Sequence, residues 1–343
     1  MATVLHVLVP GLLAAPSDRR TTLHPTAPAL AWLLARADRQ DAPPTADALL
    51  FELFGLRVPA DADPPAAAIT RLADGGEAGS DDWWLRADPI HLRADMHGGV
   101  FLADARLLAI EPEEAAALVA AFNRTFAEDG LWLEAPCPER WYLRLPADPG
   151  IRTQALSAAI GRDITPLLPD GPNARRWRTL LTEAQMLFHG HPLNQAREQH
   201  GRPTINGLWP WGGGLCPTGA RAPAAGLYAR DPLVRGLARL SGAAIDSLPE
   251  RAEDWREAAA TETDSLVVLE ATRHAAADGD PQRWDEQVAM LERDWFAPCR
   301  RWLQTGKLTA LHLHPGNGHR YTVSRAARWR FWRRARPLIH HMR

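Results

Sequence analysis

The sequence predicts an α/β fold, a core sheet flanked by helices and carrying a smaller inserted α+β subdomain. Three observations point there. Short apolar, β-rich runs at Thr3–Val9, Ser265–Leu269 and Leu308–Leu313 suit strands covered on both faces. Amphipathic helical patterns accompany them along the chain. From Trp83 to Leu145 the pattern changes to short strand-like runs around one helix, as an insertion would read. With 343 residues, 46% of them hydrophobic and 23% charged, the chain can bury a sizeable core, which excludes a disordered or fibrous protein.

Each element has its own warrant. Pro10-Gly11 stops the first strand. Residues 25–55 read mostly as helix, broken in two by Pro43-Pro44, and Ala60–Ser80, rich in Ala, Pro, Gly and Asp, reads as a boundary. Strands are expected at Trp83–Leu85, Gly99–Leu102 and Arg140–Leu145. The helix among them begins near Pro112, carries Glu113 and Glu114 at its positive end, aligns Leu118, Phe122 and Phe126, and ends at Gly130. Residues 150–260 read as helix and loop. Asp280-Pro281 is an N-cap and first helical residue, and the helix it opens aligns Trp284, Val288, Leu291 and Trp295. The expected organisation is a discontinuous core of 1–75 and 149–343, an insertion of 76–148, and a basic C-terminal tail of 320–343.

The net charge of −2 gives no whole-chain pull toward nucleic acid or membrane. Its distribution is lopsided: residues 320–343 hold eight arginines and no acid, which leaves the other 319 residues at −10. Cys137, Cys216 and Cys299 are widely spaced, which excludes a disulfide framework and fits a reducing compartment. The apolar run Val4–Ala15 has no basic residue before it and is interrupted by Pro10-Gly11, so it reads as strand and loop rather than a signal peptide. No apolar run reaches the roughly 20 residues that span a bilayer. A cytoplasmic protein is expected. G-x-S-x-G, a P-loop, a dinucleotide fingerprint and H-E-x-x-H are all absent, which removes the commonest hydrolase, nucleotide and zinc-protease readings.

One segment stands out. His191–Gly214 contains Asn194, Arg197, Arg202, Asn206, Trp209 and Trp211, and closes on Gly212-Gly213-Gly214. Consecutive glycines let backbone N–H groups approach an anion, and Asn and Arg fix carboxylates or phosphates. The same composition also fits a buried structural loop, with Asn satisfying backbone and Trp filling space.

This segment resembles the signature of archaeal-type cofactor-independent phosphoglycerate mutases, of the alkaline phosphatase superfamily. The whole chain also resembles the RpfE-type regulatory proteins, a bacterial group related to those mutases. Leu53-Phe54-Gly55, the Glu113-Glu114 helix ending in Asn123, Arg140, Gly226–Gly242 and Ala271–Asp280 match further family stretches in the same order. The resemblance implies an alkaline phosphatase-like core. It also implies a pocket for a small anionic or phosphorylated metabolite involving Asn194, Arg197, Asn206, Trp209, Trp211, Gly212, Gly213, Gly214, Arg86, Arg140 and Arg273.

The mutases are similar to alkaline phosphatase in using two divalent metals and a phosphorylated serine, and here this chain departs from the pattern. Pro10-Gly11 stands where the family has Asp-Gly, Ala46 where the nucleophilic serine falls, Arg273 at a metal-binding aspartate, and Ala277 at a histidine. Thr45 is one residue away from the nucleophile position. Proline, alanine and arginine do not ligate Mg²⁺, Mn²⁺ or Zn²⁺, although an arginine at a vacated metal position supplies positive charge itself. The expectation is therefore a mutase-like protein without phosphotransfer and without a cofactor, binding a phosphorylated metabolite or acting in regulation with a protein partner. The alternative is a rearranged phosphomutase or phosphatase using Mn, Mg or Zn, Thr45, Asp278, Asp280 and the His312, His314, His319 cluster. Each of these has a plainer reading: Asp280 as helix cap, Asp278 as turn former, the histidines as loop residues, and Arg86 and Arg140 as salt-bridge partners. The tail, mixing arginines with Trp329, Phe331 and Trp332, fits a contact with anionic lipid or single-stranded nucleic acid, or a segment packed on the protein's own acidic body.

Overall fold

The structure, a computed structural model, describes residues 3–14, 26–59, 62–77, 81–94, 100–103, 105–258 and 263–342. Gly99, part of an expected strand, and Arg343 lie outside them. The strands among these residues are β1 (Val4–Leu8), β2 (Asp38–Asp41), β3 (Trp83–Ala94), β4 (Val100–Ala103), β5 (Trp132–Cys137), β6 (Arg140–Leu145), β7 (Gly207–Gly214), β8 (Gly226–Tyr228), β9 (Ser265–Val268), β10 (Ala310–His314) and β11 (His319–Ser324). The chain divides into two compact units, Met1–Arg57 with Gly219–Arg343, and Val58–Thr218. The second is larger than the expected 76–148 insertion.

The first unit is the predicted α/β core. Its sheet runs β2-β11-β10-β1-β9-β8, with β10, β1, β9 and β8 parallel and β11 and β2 antiparallel at the edge. Side chains alternate between faces. Leu5, Val7, Val267, Leu311, Leu313, Tyr321 and Val323 form one face of an apolar core closed by the helices Pro28–Arg36, Pro281–Leu291 and Ala297–Thr305. The expected stripe Trp284, Val288, Leu291 and Trp295 is buried there. Asp280 caps its helix, accepting from Arg283 N–H at 3.0 Å. β2 was read as helix; its four residues are all exposed, so it has no apolar alternation to reveal it.

A π-turn, Glu292–Phe296, joins the helices Pro281–Leu291 and Ala297–Thr305 and turns Glu292 inward. The helix Pro28–Arg36 has no cap of its own at Ala27. The Glu292 carboxylate supplies one from more than 260 residues away, accepting from Ala29 N–H at 2.6 Å and Leu30 N–H at 2.9 Å.

The second unit is built on β3, which runs far beyond the expected Trp83–Leu85. On one side it pairs with β6 over Trp83–Arg86 and with β4 over His91–Ala94; on the other it pairs with β7. Pro89 sits in the interval that neither β6 nor β4 occupies. The Ile90 carbonyl accepts from Asn206 N–H on the β7 side, so Pro89 turns its missing donor the opposite way, and the strand continues without a lost ladder bond. β7 was read as loop because Pro210 and three glycines punctuate it. Its pairing with β3 draws the His191–Gly214 segment into this unit and moves the boundary out to Thr218. The helix Pro112–Phe126 packs Leu118, Phe122 and Phe126 into the core beneath this sheet, as predicted. A further helix, Ala66–Ala73, lies within the expected boundary segment.

Glu292→Ala leaves two buried N–H groups without an acceptor and should lower stability by about 1.5–3 kcal/mol, read as a shifted urea midpoint. Glu292→Gln, which keeps one acceptor oxygen, should lose less. Equal midpoints for wild type and Glu292→Ala would contradict the capping role.

Candidate functional site

Open α/β sheets place ligands outside the carboxyl ends of their parallel strands. In the first unit these ends bring together the segments after β1, β8, β9 and β10. After β1 come Pro10 and Gly11, the latter at φ 81°. The Pro10 carbonyl accepts from Thr272 Oγ1 at 2.9 Å, and the Gly11 carbonyl from Trp284 Nε1 at 2.9 Å. A Cβ on Gly11 would lie 2.8 Å from the Thr272 carbonyl oxygen. This strand end is closed by packing and carries no carboxylate.

After β8, Asp231 caps the helix Pro232–Ser241, its Oδ1 accepting from Leu233 N–H at 2.7 Å. Its Oδ2 is buried, accepts no hydrogen bond, and lies 2.8 Å from Arg273 Nη1. After β9, Glu270 precedes the helix Ala271–Asp278 and lies 3.6 Å from the same Nη1. Asp47, in the first turn of the helix Ala46–Leu53, lies 3.9 Å from Arg273 Nη2. The guanidinium is thus the cation at the centre of three carboxylates. Burial and the neighbouring Asp231 push Glu270 up to about 7, against the pull of Arg273. Burial works against the charge of Arg273 itself, but Asp231, Asp47 and Glu270 outweigh it and raise its pKa.

The expected nucleophile position is adjacent. Ala46 is the first residue of its helix, and a Cβ on Gly316, just after β10, would lie 3.0 Å from the Ala46 Cβ. No hydroxyl stands there. The Thr45 Oγ1 accepts from Ala48 N–H at 3.2 Å as the helix cap.

The histidines assemble differently from the sequence expectation. β1 and β10 pair in register, His6 with His312 and Leu8 with His314, which stacks three imidazoles on one face. His6 Nδ1 and His314 Nε2 are 3.3 Å apart, and His312 Nδ1 meets Thr322 Oγ1 at 2.9 Å. Burial, and then His312, bring His6 down to about 4; burial likewise lowers His312 and His314. All three stay neutral at pH 7, and because the unfolded chain takes up protons near pH 6.5, they cost stability as pH falls below that value. His319 is three residues from Thr322 on β11 and so on the opposite face, 3.6 Å from Asp41. Asp278 lies 3.6 Å from Arg283. Among the described residues no group of three or more His, Cys, Asp or Glu side chains is placed to hold a metal ion. The donor set at the strand ends therefore does not fit a two-metal centre: one end is Pro-Gly, and its three acids surround an arginine.

In the second unit the signature residues are tied to their own scaffold. The Asn194 amide donates to the Phe188 and Ile205 carbonyls and accepts from Ile205 N–H, each at 2.8 Å. The Asn206 side chain accepts from Leu92 N–H at 2.6 Å and donates to the Leu92 carbonyl at 2.9 Å. Arg197, 2% exposed, pairs with Glu114 at 2.5 Å and donates to the Pro203 and Leu108 carbonyls. Arg86 pairs with the fully buried Asp88 at 2.5 Å, and Trp211 Nε1 donates to the same carboxylate at 2.7 Å. Trp209 Nε1 donates to the Gln154 carbonyl. Arg140 grips Asp74 through two nitrogens, at 2.8 and 2.6 Å. Gly212, at φ 63°, approaches Ala66, where a Cβ would meet the alanine Cβ at 3.0 Å. Gly213 and Gly214 line a cavity of about 470 Å³ with Trp83, Asp63, Arg152 and Thr153. In its wall the Trp83 indole N–H is buried and has no acceptor.

Neither Asp231, Glu270 nor His6 was singled out by the sequence. Their convergence depends on which strands pair, and strand pairing leaves no local pattern. Three free cysteines and the lack of any described helix long and apolar enough to cross a membrane agree with the sequence.

No protein-family profile matches the sequence, and no curated protein does. Among solved structures the chain is similar to the cofactor-independent phosphoglycerate mutase from Thermoplasma acidophilum DSM 1728, at 17% identity and TM-score 0.48, covering 94% of this chain and 89% of that one. It is also similar to the PH0037 protein from Pyrococcus horikoshii, at 16% identity and TM-score 0.55, covering 94% and 87%. The second likeness is one of fold: a central sheet flanked by helices, as predicted.

Arg273→Met removes the cation from three acids and should destabilise the protein by about 2–4 kcal/mol at about pH 8. Glu270 already titrates above its ordinary range, and losing Arg273 raises it further. Acid then neutralises the repulsion, so the deficit relative to wild type should shrink at about pH 5.5. Denaturant titrations of both proteins at both pH values test this; a deficit that grows in acid would contradict it.

Proposed function

We propose that this chain is a phosphoglycerate mutase-like protein that performs no metal-dependent phosphoryl transfer and acts instead as a binding or regulatory protein. The observation that carries this reading is Arg273, held 2.8 Å from Asp231 with Glu270 and Asp47 around it. A two-metal mechanism needs cations that neutralise the transferring phosphoryl oxygens and lower the pKa of the nucleophile. Here one guanidinium is already held among the acids that could draw in such cations and offsets part of their charge, and the neighbouring helix start is Ala46. The tethered guanidinium has no open coordination position and activates no hydroxyl.

The binding half of the proposal rests on the 470 Å³ cavity, whose size suits a small metabolite. The Trp83 N–H is an unused donor in its wall, while Arg152 in the lining is paired with Asp170 at 3.1 Å and Asp63 and Asp148 line it too. The ligand proposed is a small metabolite with an acceptor oxygen for that N–H, such as one of a phosphate group. Arg86, Arg140 and Arg197, expected from the resemblance to hold that ligand, are each engaged with an internal carboxylate, and Arg273 pairs with Asp231 while its Nη2 has no hydrogen-bond acceptor.

Metal content and turnover of 3-phosphoglycerate, measured on one purified sample with added Mn²⁺, Mg²⁺ or Zn²⁺, test the first half. Substoichiometric metal and no turnover are expected. Near-stoichiometric metal with turnover that Asp278→Ala abolishes would overturn the proposal and establish a rearranged enzyme. For the second half, thermal shifts with 3-phosphoglycerate and inorganic phosphate should be reduced in Trp83→Phe, which keeps the ring and loses the donor. A shift unchanged by that substitution would place binding elsewhere.

A further inference from the structure

Residues 325–340 form two short 3-10 helices, Arg325–Trp329 and Leu338–His340, joined by a turn and an extended stretch. The segment is fastened on both sides of that turn. Ala327 and Leu338 are buried in the apolar core of the first unit. Arg330 grips Asp38 with both terminal nitrogens, at 2.7 Å each, and donates to the Arg36 carbonyl at 2.8 Å; Arg333 donates to the Ala37 carbonyl at 2.8 Å. Two of the arginines that the sequence counted as a basic tail are thus structural clamps.

What the clamps leave outside is unusual for this chain. Trp329, Phe331 and Trp332 are 64%, 77% and 66% exposed, although most of its other tryptophans are buried or half-buried. Phe331 and Trp332 pack edge to face, 5.3 Å apart at 80°, into one apolar wedge. Exposed arginines surround it. Arg328 lies over the Trp329 ring at 4.9 Å, and Arg334 and Arg336 make no ion pair or hydrogen bond with any described residue. No acidic residue occurs in 320–343.

We propose that the Arg328–Arg336 segment is a docking surface for an anionic lipid membrane. Aromatic rings are stabilised at the boundary between headgroups and acyl chains, and arginines beside them pair with lipid phosphates. A wedge clamped to the folded body inserts without the ordering cost that a loose tail would meet. Single-stranded nucleic acid fits the geometry less well. Bases stack on open ring faces, whereas Arg328 covers one face of Trp329 and the 80° turn between Phe331 and Trp332 leaves no parallel row of platforms. The body carries −10, so attraction is confined to this patch and should be sensitive to salt.

Vesicle co-sedimentation of the full chain tests the proposal, using phosphatidylcholine alone and phosphatidylcholine with one third phosphatidylserine. Partitioning onto the anionic vesicles should be about tenfold stronger or more and should weaken as salt is raised. Trp329→Ala/Phe331→Ala/Trp332→Ala should abolish it, and Arg334→Gln/Arg336→Gln should remove most of the preference for anionic lipid. These side chains are exposed, so circular dichroism and thermal midpoint should not change. Quenching of tryptophan fluorescence by brominated lipid should fall in Trp329→Phe/Trp332→Phe. Three results would each overturn the proposal: equal or absent binding to both vesicles, binding to oligo-dT without binding to vesicles, or self-association that the triple aromatic variant abolishes while vesicles bind neither protein.

Discussion

Three carboxylates, Asp47, Asp231 and Glu270, meet at the carboxyl end of the core sheet, and acids so placed cannot all ionise without a cation among them. The chain supplies that cation as Arg273, in the first turn of the helix after β9. Much of the local architecture follows. Asp231 keeps one oxygen for capping its helix and turns the other toward the guanidinium. Burial and Asp231 hold the Glu270 carboxyl well above its ordinary range. The Pro10-Gly11 end of β1 needs no acid, and it packs against Thr272 and Trp284 instead.

The same device recurs in the second unit. Arg86 with Asp88, Arg140 with Asp74, and Arg197 with Glu114 are internal pairs made through a planar fork that reaches a second acceptor as well: Thr70 Oγ1 for Arg86, Cys137 Sγ for Arg140, and the Pro203 and Leu108 carbonyls for Arg197. The chain has one lysine and many arginines, and it uses arginine where a compact point charge could not reach several acceptors at once. Against that habit the unpaired arginines around Trp329, Phe331 and Trp332 stand apart, because they face solvent beside exposed rings and not a carboxylate.

The sequence revealed elements whose cause is local. The Asp280 cap, the Trp284–Trp295 stripe, the Pro112 helix start and the buried strands β1, β9 and β10 each follow from residues close along the chain. It failed where the cause is tertiary. β2 has no apolar face, β7 is written in Gly and Pro, and both exist only through their partners. Glu292 carries no local signal, because its capping of Ala29 and Leu30 depends on a π-turn and a partner more than 260 residues away. The sequence singled out Pro10, Ala46 and Arg273, which the fold brings to one end of the core sheet. The acids around Arg273 were not, since Asp231 and Glu270 meet only when β8 and β9 lie side by side. The histidine cluster was half legible: His312 and His314 share a face by alternation, but their third member is His6, set by parallel register, and not His319.

Under the proposed function, Arg273 takes the place among these acids that metal ions would need for phosphoryl transfer. Calorimetric titration of Mn²⁺ into wild type and Arg273→Ala, side by side, tests it most directly. Wild type should show no saturable binding, and the variant, with three acids left open, should gain it. Saturable, near-stoichiometric Mn²⁺ binding by the wild-type protein would contradict the account.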